Sequence, residues 1–218
     1  MQLFGCFFVF LHEKSEAMHI FLSEDIWDFD LAAALDEVSE QRREQALKFK
    51  HELGRRLCVL AYQLLKRGLN EVYGIKENPI FEYNEHGKPS IVGHPEICFN
   101  LSHCKEAAIC AVSDQMVGVD VESVRSYNDS LVRYTMNDDE VCQIESAEDR
   151  AVAFIRLWTM KEAALKLTGT GISNEMKQVL CQEGLCFETF IDPQRRFIYS
   201  VCQFETDNEK KSELFVRL

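Results

Sequence analysis

Positive charge is scarce in this chain: 24 Lys and Arg stand against 36 Asp and Glu, a formal net charge of −12 over 218 residues. That balance argues against a general basic field holding the protein to nucleic acid or to an anionic membrane, while leaving room for a local basic pocket. Proline and glycine are few, at 4 and 10, and apolar residues make up 46%, which places the chain among folded globular proteins and away from collagenous or disordered ones. No run approaches transmembrane length. The apolar stretch Leu3 to Leu11 lacks a basic leader and a small-residue cleavage site, so it is expected as a buried first strand of a cytoplasmic chain. Nine cysteines are present, but they are scattered, odd in number and without any CxxC pair or Cys/His cluster at zinc spacing. They read as reduced core residues rather than as disulfides or a structural metal site. There is also no P-loop, no dinucleotide glycine fingerprint and no G-x-S-x-G elbow, which counts against the common nucleotide folds and against a serine hydrolase.

The length allows one large domain or two halves of about a hundred residues each. From Ser39, a plausible N-cap, to Leu65 the apolar residues Ala46, Phe49, Leu53, Leu57, Leu60 and Leu64 recur at helical spacing. The same stretch is rich in cations, which would serve equally as a solvated face or as a basic pocket. Asn84 to Pro89 reads as a turn, with Gly87 free to take positive φ. Ile97–Leu101, Ala107–Val112 and Val117–Val121 then read as a meander of short strands. Asn137 with Glu140 forms a capping-box start, and a stronger helix is expected from about Glu148 to Leu167, closed by Thr168 to Gly171. Strands follow near Leu185–Ile191, Arg195–Phe204 and Leu214–Arg217. The pattern suggests an α+β fold of two similar halves, with a soft boundary near residues 90 to 105.

Three segments can carry chemistry. In Val117-Gly118-Val119-Asp120-Val121-Glu122 two carboxylates occupy alternate strand positions, so they share a face about 7 Å apart. Side chains so placed can share one divalent cation, and oxygen-only ligands suit magnesium. An ordinary solvated sheet face would look the same. In Trp158-Thr159-Met160-Lys161-Glu162-Ala163-Ala164-Leu165-Lys166, Glu162 and Lys166 are one helical turn apart. That spacing gives either an exposed ion pair worth about 0.3–0.5 kcal/mol or a third magnesium carboxylate with an ammonium to balance phosphate charge. In Phe99-Asn100-Leu101-Ser102-His103, a strand end, serine and histidine could donate to phosphate oxygens.

Together and in this order, these segments resemble the Sfp-type 4′-phosphopantetheinyl transferases. The pattern of that family is a G-(I/V)-D-(I/V)-E strand followed further along by a W-(S/T)-x-K-E-(A/S)-x-x-K helix. Gly118 to Glu122 and Trp158 to Lys166 match both at every defined position, and Gly87-Lys88-Pro89, Phe99 to His103 and Lys166 to Gly171 fit its upstream and downstream elements. The resemblance covers roughly residues 39 to 174; the basic helix matches only in its general character.

The resemblance implies a pseudo-twofold pair of α/β halves with the active site in the cleft between them. Residues 1–100 would form the nucleotide side and 101–218 the magnesium and catalytic side of a monomer. It implies transfer of the phosphopantetheine arm of coenzyme A to a serine of an apo acyl or peptidyl carrier protein, with release of 3′,5′-adenosine bisphosphate. Asp120, Glu122 and Glu162 would hold magnesium, and Glu162 or a bound water would take the serine proton. Lys166 and Lys161 would flank the pyrophosphate, Ser102 and His103 would contact phosphate, and Lys88, Arg42 and Arg56 would form the nucleotide end. The alternatives are a scaffold that keeps the fold without turnover, which intact Asp120, Glu122, Glu162 and Lys166 argue against, and another magnesium-dependent nucleotide enzyme. Because carrier proteins are usually acidic, the net charge of −12 makes long-range repulsion the expected regime. Stopped-flow association with an acidic carrier should therefore speed up on moderate addition of salt, and a rate falling steeply over the same range would contradict this.

Overall fold

The computed structural model describes residues 18–169 and 176–205. The expected strands at Leu3–Leu11 and Leu214–Arg217, Cys6, and the Thr170-Gly171 end of the helix tail lie outside them. Strand β1 (His19–Ser23) is followed by three helices, α1 (Leu31–Glu37), α2 (Glu40–Leu47) and α3 (Glu52–Tyr73). A hairpin of β2 (Phe81–Tyr83) and β3 (Pro89–Ile91) precedes β4 (Cys98–His103) and β5 (Ala108–Ser113). The chain continues through β6 (Val117–Ser123), α4 (Asp129–Thr135), α5 (Asp138–Ser146) and α6 (Arg150–Thr168), then a 3-10 turn at Met176–Cys181, β7 (Leu185–Ile191) and β8 (Phe197–Phe204).

Local chemistry explains most of these boundaries. Asp30 caps α1 by accepting from the Ala32 and Ala33 amides, and Ser39 caps α2 by accepting from Arg42 N at 3.3 Å. The single helix expected from Ser39 to Leu65 is instead broken at Lys48–His51. The amides of Lys48 and Phe49 bond back only three residues, to Gln45 O and Ala46 O, which tightens and ends α2. His51 is extended, and the Phe49 ring folds over Gly54, where a Cβ would meet Phe49 Cδ1 at 2.7 Å. The apolar stripe continues through this break, so periodicity could not reveal it. Asn137 and Glu140 form the capping box of α5 as expected, and Gly87 does take a positive φ of 81°. Strand β8 starts at Phe197 rather than Arg195, because Arg195 sits at φ 56° in a turn whose amide donates to Asp192 O at 2.7 Å.

Two three-stranded antiparallel sheets result, in the orders β1-β5-β4 and β6-β8-β7. Each is built the same way, from a strand, a set of helices ending in a long one, and a closing pair whose last strand lies in the middle. The expected three-strand meander is therefore corrected: β4 and β5 pair, with Asn100 opposite Ala111, but β6 pairs with β8, with Asp120 opposite Ser200. The edges of the sheets are joined by side chains instead of a ladder. Asn100 Oδ1 accepts from Val119 N at 3.1 Å and Ser102 Oγ from Val121 N at 3.3 Å.

The core has layers. Phe21, Cys110 and Val112 on one face of the first sheet pack with Leu57, Leu60, Ala61 and Leu65 of α3. Ile20, Ile109 and Ala111 on its other face meet Val117, Val119, Val121, Tyr199 and Val201 of the second sheet. Beyond that sheet, Ile198 and Cys202 pack among residues of α6. The eight cysteines among the described residues are all free, and no helix among those residues is long and apolar enough to cross a membrane.

Strand β6 lies so close to α6 that a Cβ at Gly118 would stand 2.0 Å from Ala163 O and 2.5 Å from Leu167 N. Only glycine permits this approach. Gly118→Ala should destabilise the fold by about 3 kcal/mol or more, since backbone on both sides leaves nothing to yield. Urea unfolding checks it, and a loss below about 1 kcal/mol would show that the strand can move away.

Candidate functional site

Because Val117, Val119 and Val121 enter the core between the sheets, the alternate residues Gly118, Asp120 and Glu122 face α6. Their face is thus not a solvated sheet surface. Opposite them α6 presents Trp158, Glu162 and Lys166, at helical spacings of four residues, and β4 contributes Ser102 and His103. Apart from Gly118, these residues line one cavity of about 410 Å³, closed on its other side by Arg42, Gln45 and Phe49 from α2 and its exit, and by Cys58 and Ala61 of α3. A second cavity of about 280 Å³, lined by His86, Gly87, Lys88 and Gly169, shares Leu101, Glu162 and Lys166 with the first. The two form a cleft that runs past Glu162 and Lys166.

At the centre Asp120, 4% exposed, accepts on Oδ1 from Ser102 Oγ at 2.9 Å and from Lys166 Nζ at 2.7 Å. Lys166 also donates to Ser102 Oγ at 2.9 Å. Asp120 Oδ2 and Glu162 Oε1 are buried with no partner. Burial pushes the Glu162 carboxyl above the usual range, and the charges of Asp120 and Glu122 push the same way against Lys166. Glu122 is raised for the same first reason and then by Asp120, opposed by Arg125, by a hydrogen bond from Trp158 and by Lys166. His103 lies at the rim with its pKa lowered, first by desolvation and then by Lys166 and Arg42, so its ring is neutral near pH 7 and can donate through one nitrogen.

Arg42 is the other concentrated charge. Only 8% exposed, its guanidinium lies 5.2 Å from the ring centres of both Tyr62 and Phe81 and donates to Cys58 Sγ at 3.5 Å, while its Nε has no partner. Among the described residues no carboxylate pairs with it. Its helix is anchored by Gln41, which exchanges two hydrogen bonds of 3.1 Å with the backbone of Phe81. A buried, unpaired cation lining a cavity is an anion site in waiting.

Of the residues expected at the site, Asp120, Glu122, Glu162, Lys166, Ser102, His103 and Arg42 come together. Lys88 reaches the second cavity, its ammonium on Leu167 O at 2.6 Å at the end of α6 and its pKa lowered by burial. Two do not come. Lys161 points away from the cleft and is fully buried against Glu140 Oε1 at 2.9 Å and Met176 O at 2.7 Å, where it ties α5 and the 3-10 turn to α6. Arg56 pairs with Glu52 at 2.8 Å, donates to Ile26 O and Phe29 O, and lies over the rings of Trp27 and Phe29. Sequence reasoning gave no role to Asn100, Trp158 or Arg125, although a polar Asn100 in an apolar strand was a visible signal.

Among the described residues, no three acidic, histidine or cysteine side chains stand close enough together to hold a metal as they are, and the Lys166 ammonium takes the place beside Asp120. The donor set nevertheless fits a hard divalent cation, since two buried carboxylate oxygens lack partners and Glu122 and Glu162, raised first by burial, are raised further by the acids beside them. A carboxylate raised in the folded state weighs against folding above its unfolded pKa, because the unfolded chain gives up its proton first; below that pKa both states are protonated and the penalty vanishes. Glu162→Gln should therefore raise the thermal midpoint of metal-free protein at pH 7, with the gain shrinking toward about pH 4. A variant no more stable than the parent at pH 7 would contradict this.

Residues 116–214 match the family model described as the 4′-phosphopantetheinyl transferase superfamily. The 4′-phosphopantetheinyl transferase psf-1 of Bacillus pumilus is 35% identical over 139 residues, covering 62% of this chain and 60% of that one. Sfp of Bacillus subtilis strain 168 is 27% identical over 62% of each chain, and HetI of Nostoc is 32% identical over 66% of this chain and 63% of its own. The chain thus matches less than two thirds of the length of these curated relatives. Its motifs, its second half and the greater part of its length are similar to the 4′-phosphopantetheinyl transferases, with Sfp-type proteins among its relatives.

Proposed function

We propose that this protein transfers the 4′-phosphopantetheine arm of coenzyme A to a serine hydroxyl of an apo acyl or peptidyl carrier protein, in a magnesium-dependent reaction that releases 3′,5′-adenosine bisphosphate. The observation that carries the reading is the meeting of Asp120, Glu122 and Glu162 with Lys166 and the unpaired Arg42 in one cleft. A diphosphate ester needs both a cation across its phosphates and fixed positive charge beside them, and this cleft offers donors for each.

Asp120, Glu122 and Glu162 would hold magnesium, which when bound neutralises the charge that develops on the phosphates. Lys166 lies between the two cavities and would bind the pyrophosphate, with Ser102 and the neutral His103 donating hydrogen bonds to phosphate oxygens. Arg42 and Lys88 would bind the nucleotide end. The serine oxygen attacks the phosphorus that bears the pantetheine, and the bond from that phosphorus to the bridging oxygen breaks. The serine proton would pass to Glu162, directly or through a water, or to a metal-bound water, since a carboxylate that holds magnesium is a weak base.

The same build of the two sheets supports a pseudo-twofold pair of halves with the cleft between them, residues 1–100 toward the nucleotide and 101–218 toward the metal. Strand pairing favours drawing the line between β5 and β6. A single chain with both halves would act as a monomer, in the cytoplasm where coenzyme A and carrier proteins meet. Intact-mass spectrometry of an apo carrier incubated with coenzyme A, magnesium and the protein should show the gain of one phosphopantetheine arm. The gain should be lost with EDTA and with Glu162→Ala. No gain with several carrier types and no magnesium-dependent binding of coenzyme A would overturn the proposal.

A further inference from the structure

The ammonium of Lys166 is not free in the cleft. It is wedged between Asp120 Oδ1 at 2.7 Å and Ser102 Oγ at 2.9 Å, with the Lys166 side chain 29% exposed and that of Asp120 only 6%. A divalent cation needs this same carboxylate. The oxygens without partners, Asp120 Oδ2 and Glu162 Oε1, stand in the same cluster, and Glu162 is one helical turn before Lys166. An ammonium and a divalent cation pressed against one buried carboxylate repel each other.

We infer that Lys166 is a resident counter-ion that must leave Asp120 when a divalent cation enters, and that it thereby couples metal binding to phosphate binding. The inference rests on the phosphopantetheinyl-transfer reading for the identity of the phosphate ligand. Lys166 lines both cavities, so rotation of its flexible side chain carries the ammonium out of the carboxylate cluster and into the cleft. Across the cavity stands the Arg42 guanidinium, which offers that ammonium no acceptor. A metal entering alone therefore drives Lys166 from a charge-assisted hydrogen bond into water. When a pyrophosphate group enters too, the displaced ammonium gains a new anionic partner, and the two ligands favour each other. Linkage makes the effect reciprocal, so coenzyme A strengthens metal binding by the factor by which the metal strengthens coenzyme A binding. The resident lysine also keeps three acidic side chains tolerable in the absence of ligand, which a purely phosphate-binding lysine pointing into solvent would not do.

The test is manganese binding, followed by the loss of the free-ion EPR signal, to metal-stripped protein with and without coenzyme A. Lys166→Met removes the charge at similar length, and Lys166→Gln keeps a hydrogen-bond donor for Ser102; circular dichroism and melting confirm that each is folded. The parent should bind manganese at least about tenfold more tightly with coenzyme A than without. Both variants should bind manganese alone at least about tenfold more tightly than the parent and keep only the part of the coupling that direct contact between the cation and the phosphates supplies. Variants that bind the ion alone no more tightly, or that keep the parent's full coupling, overturn the role of Lys166 while leaving the transferase reading standing. Failure of the parent to bind manganese even with coenzyme A overturns both. If neither variant folds, the ε-methylene NMR signal of Lys166 in the parent decides: it should shift when magnesium and coenzyme A are added together, and an unchanged signal overturns the inference.

Discussion

The approach of β6 to α6 at Gly118 is the constraint on which the site depends. With Ala163 O and Leu167 N filling the space where a side chain would begin, strand and helix lie backbone to backbone. One strand step further on, Asp120 is then within hydrogen-bond reach of Lys166, and Glu122 faces Trp158 and Glu162 across the same gap. The other edge of β6 is held by Asn100 and Ser102, whose side chains take the amides that a neighbouring strand would normally use. Ser102 therefore works in two directions, completing the backbone of β6 and donating to the carboxylate that the same strand presents.

This arrangement concentrates charge that neither sheet could carry alone. Asp120 arrives on the second sheet, Ser102 on the first, and Lys166 on the helix packed behind the second. Across the cleft Arg42 is buried between aromatic rings without a carboxylate of its own. Unpaired buried charge is unfavourable for folding, and crowded carboxylates with raised pKa values are too. Features that oppose stability and lie together in a cavity point to ligands that relieve them, here a divalent cation for the acids and phosphate for the cations. By contrast Lys161 and Glu140, equally charged and deeply buried, pair with each other away from the cleft.

Much of this was legible in the sequence because it follows local rules. The alternation in Gly118 to Glu122, the one-turn spacing of Glu162 and Lys166, the capping box at Asn137 and the turn at Gly87 all depend on near neighbours. The errors arose where longer-range packing decides. Helical periodicity ran unbroken through Lys48–His51, and the break comes from Phe49 folding back over Gly54. Strand order could not show that β6 leaves β5 for β8, since the partner is about eighty residues away and the local pattern of an apolar strand does not name its neighbour. For Lys161 and Arg56 the local spacing already carries the answer. At about 100° per residue Lys161 cannot share the face of both Glu162 and Lys166, and Glu52 one turn before Arg56 already offered it a partner.

The most direct test of the account is a crystal structure with manganese and coenzyme A, phased at the manganese edge. The account predicts an anomalous peak in coordination contact with Asp120, Glu122 and Glu162, and the pyrophosphate beside Lys166 with the nucleotide toward Arg42 and Lys88. Manganese bound elsewhere, or coenzyme A bound with its pyrophosphate outside the cleft between β6, α6 and α2, would contradict it.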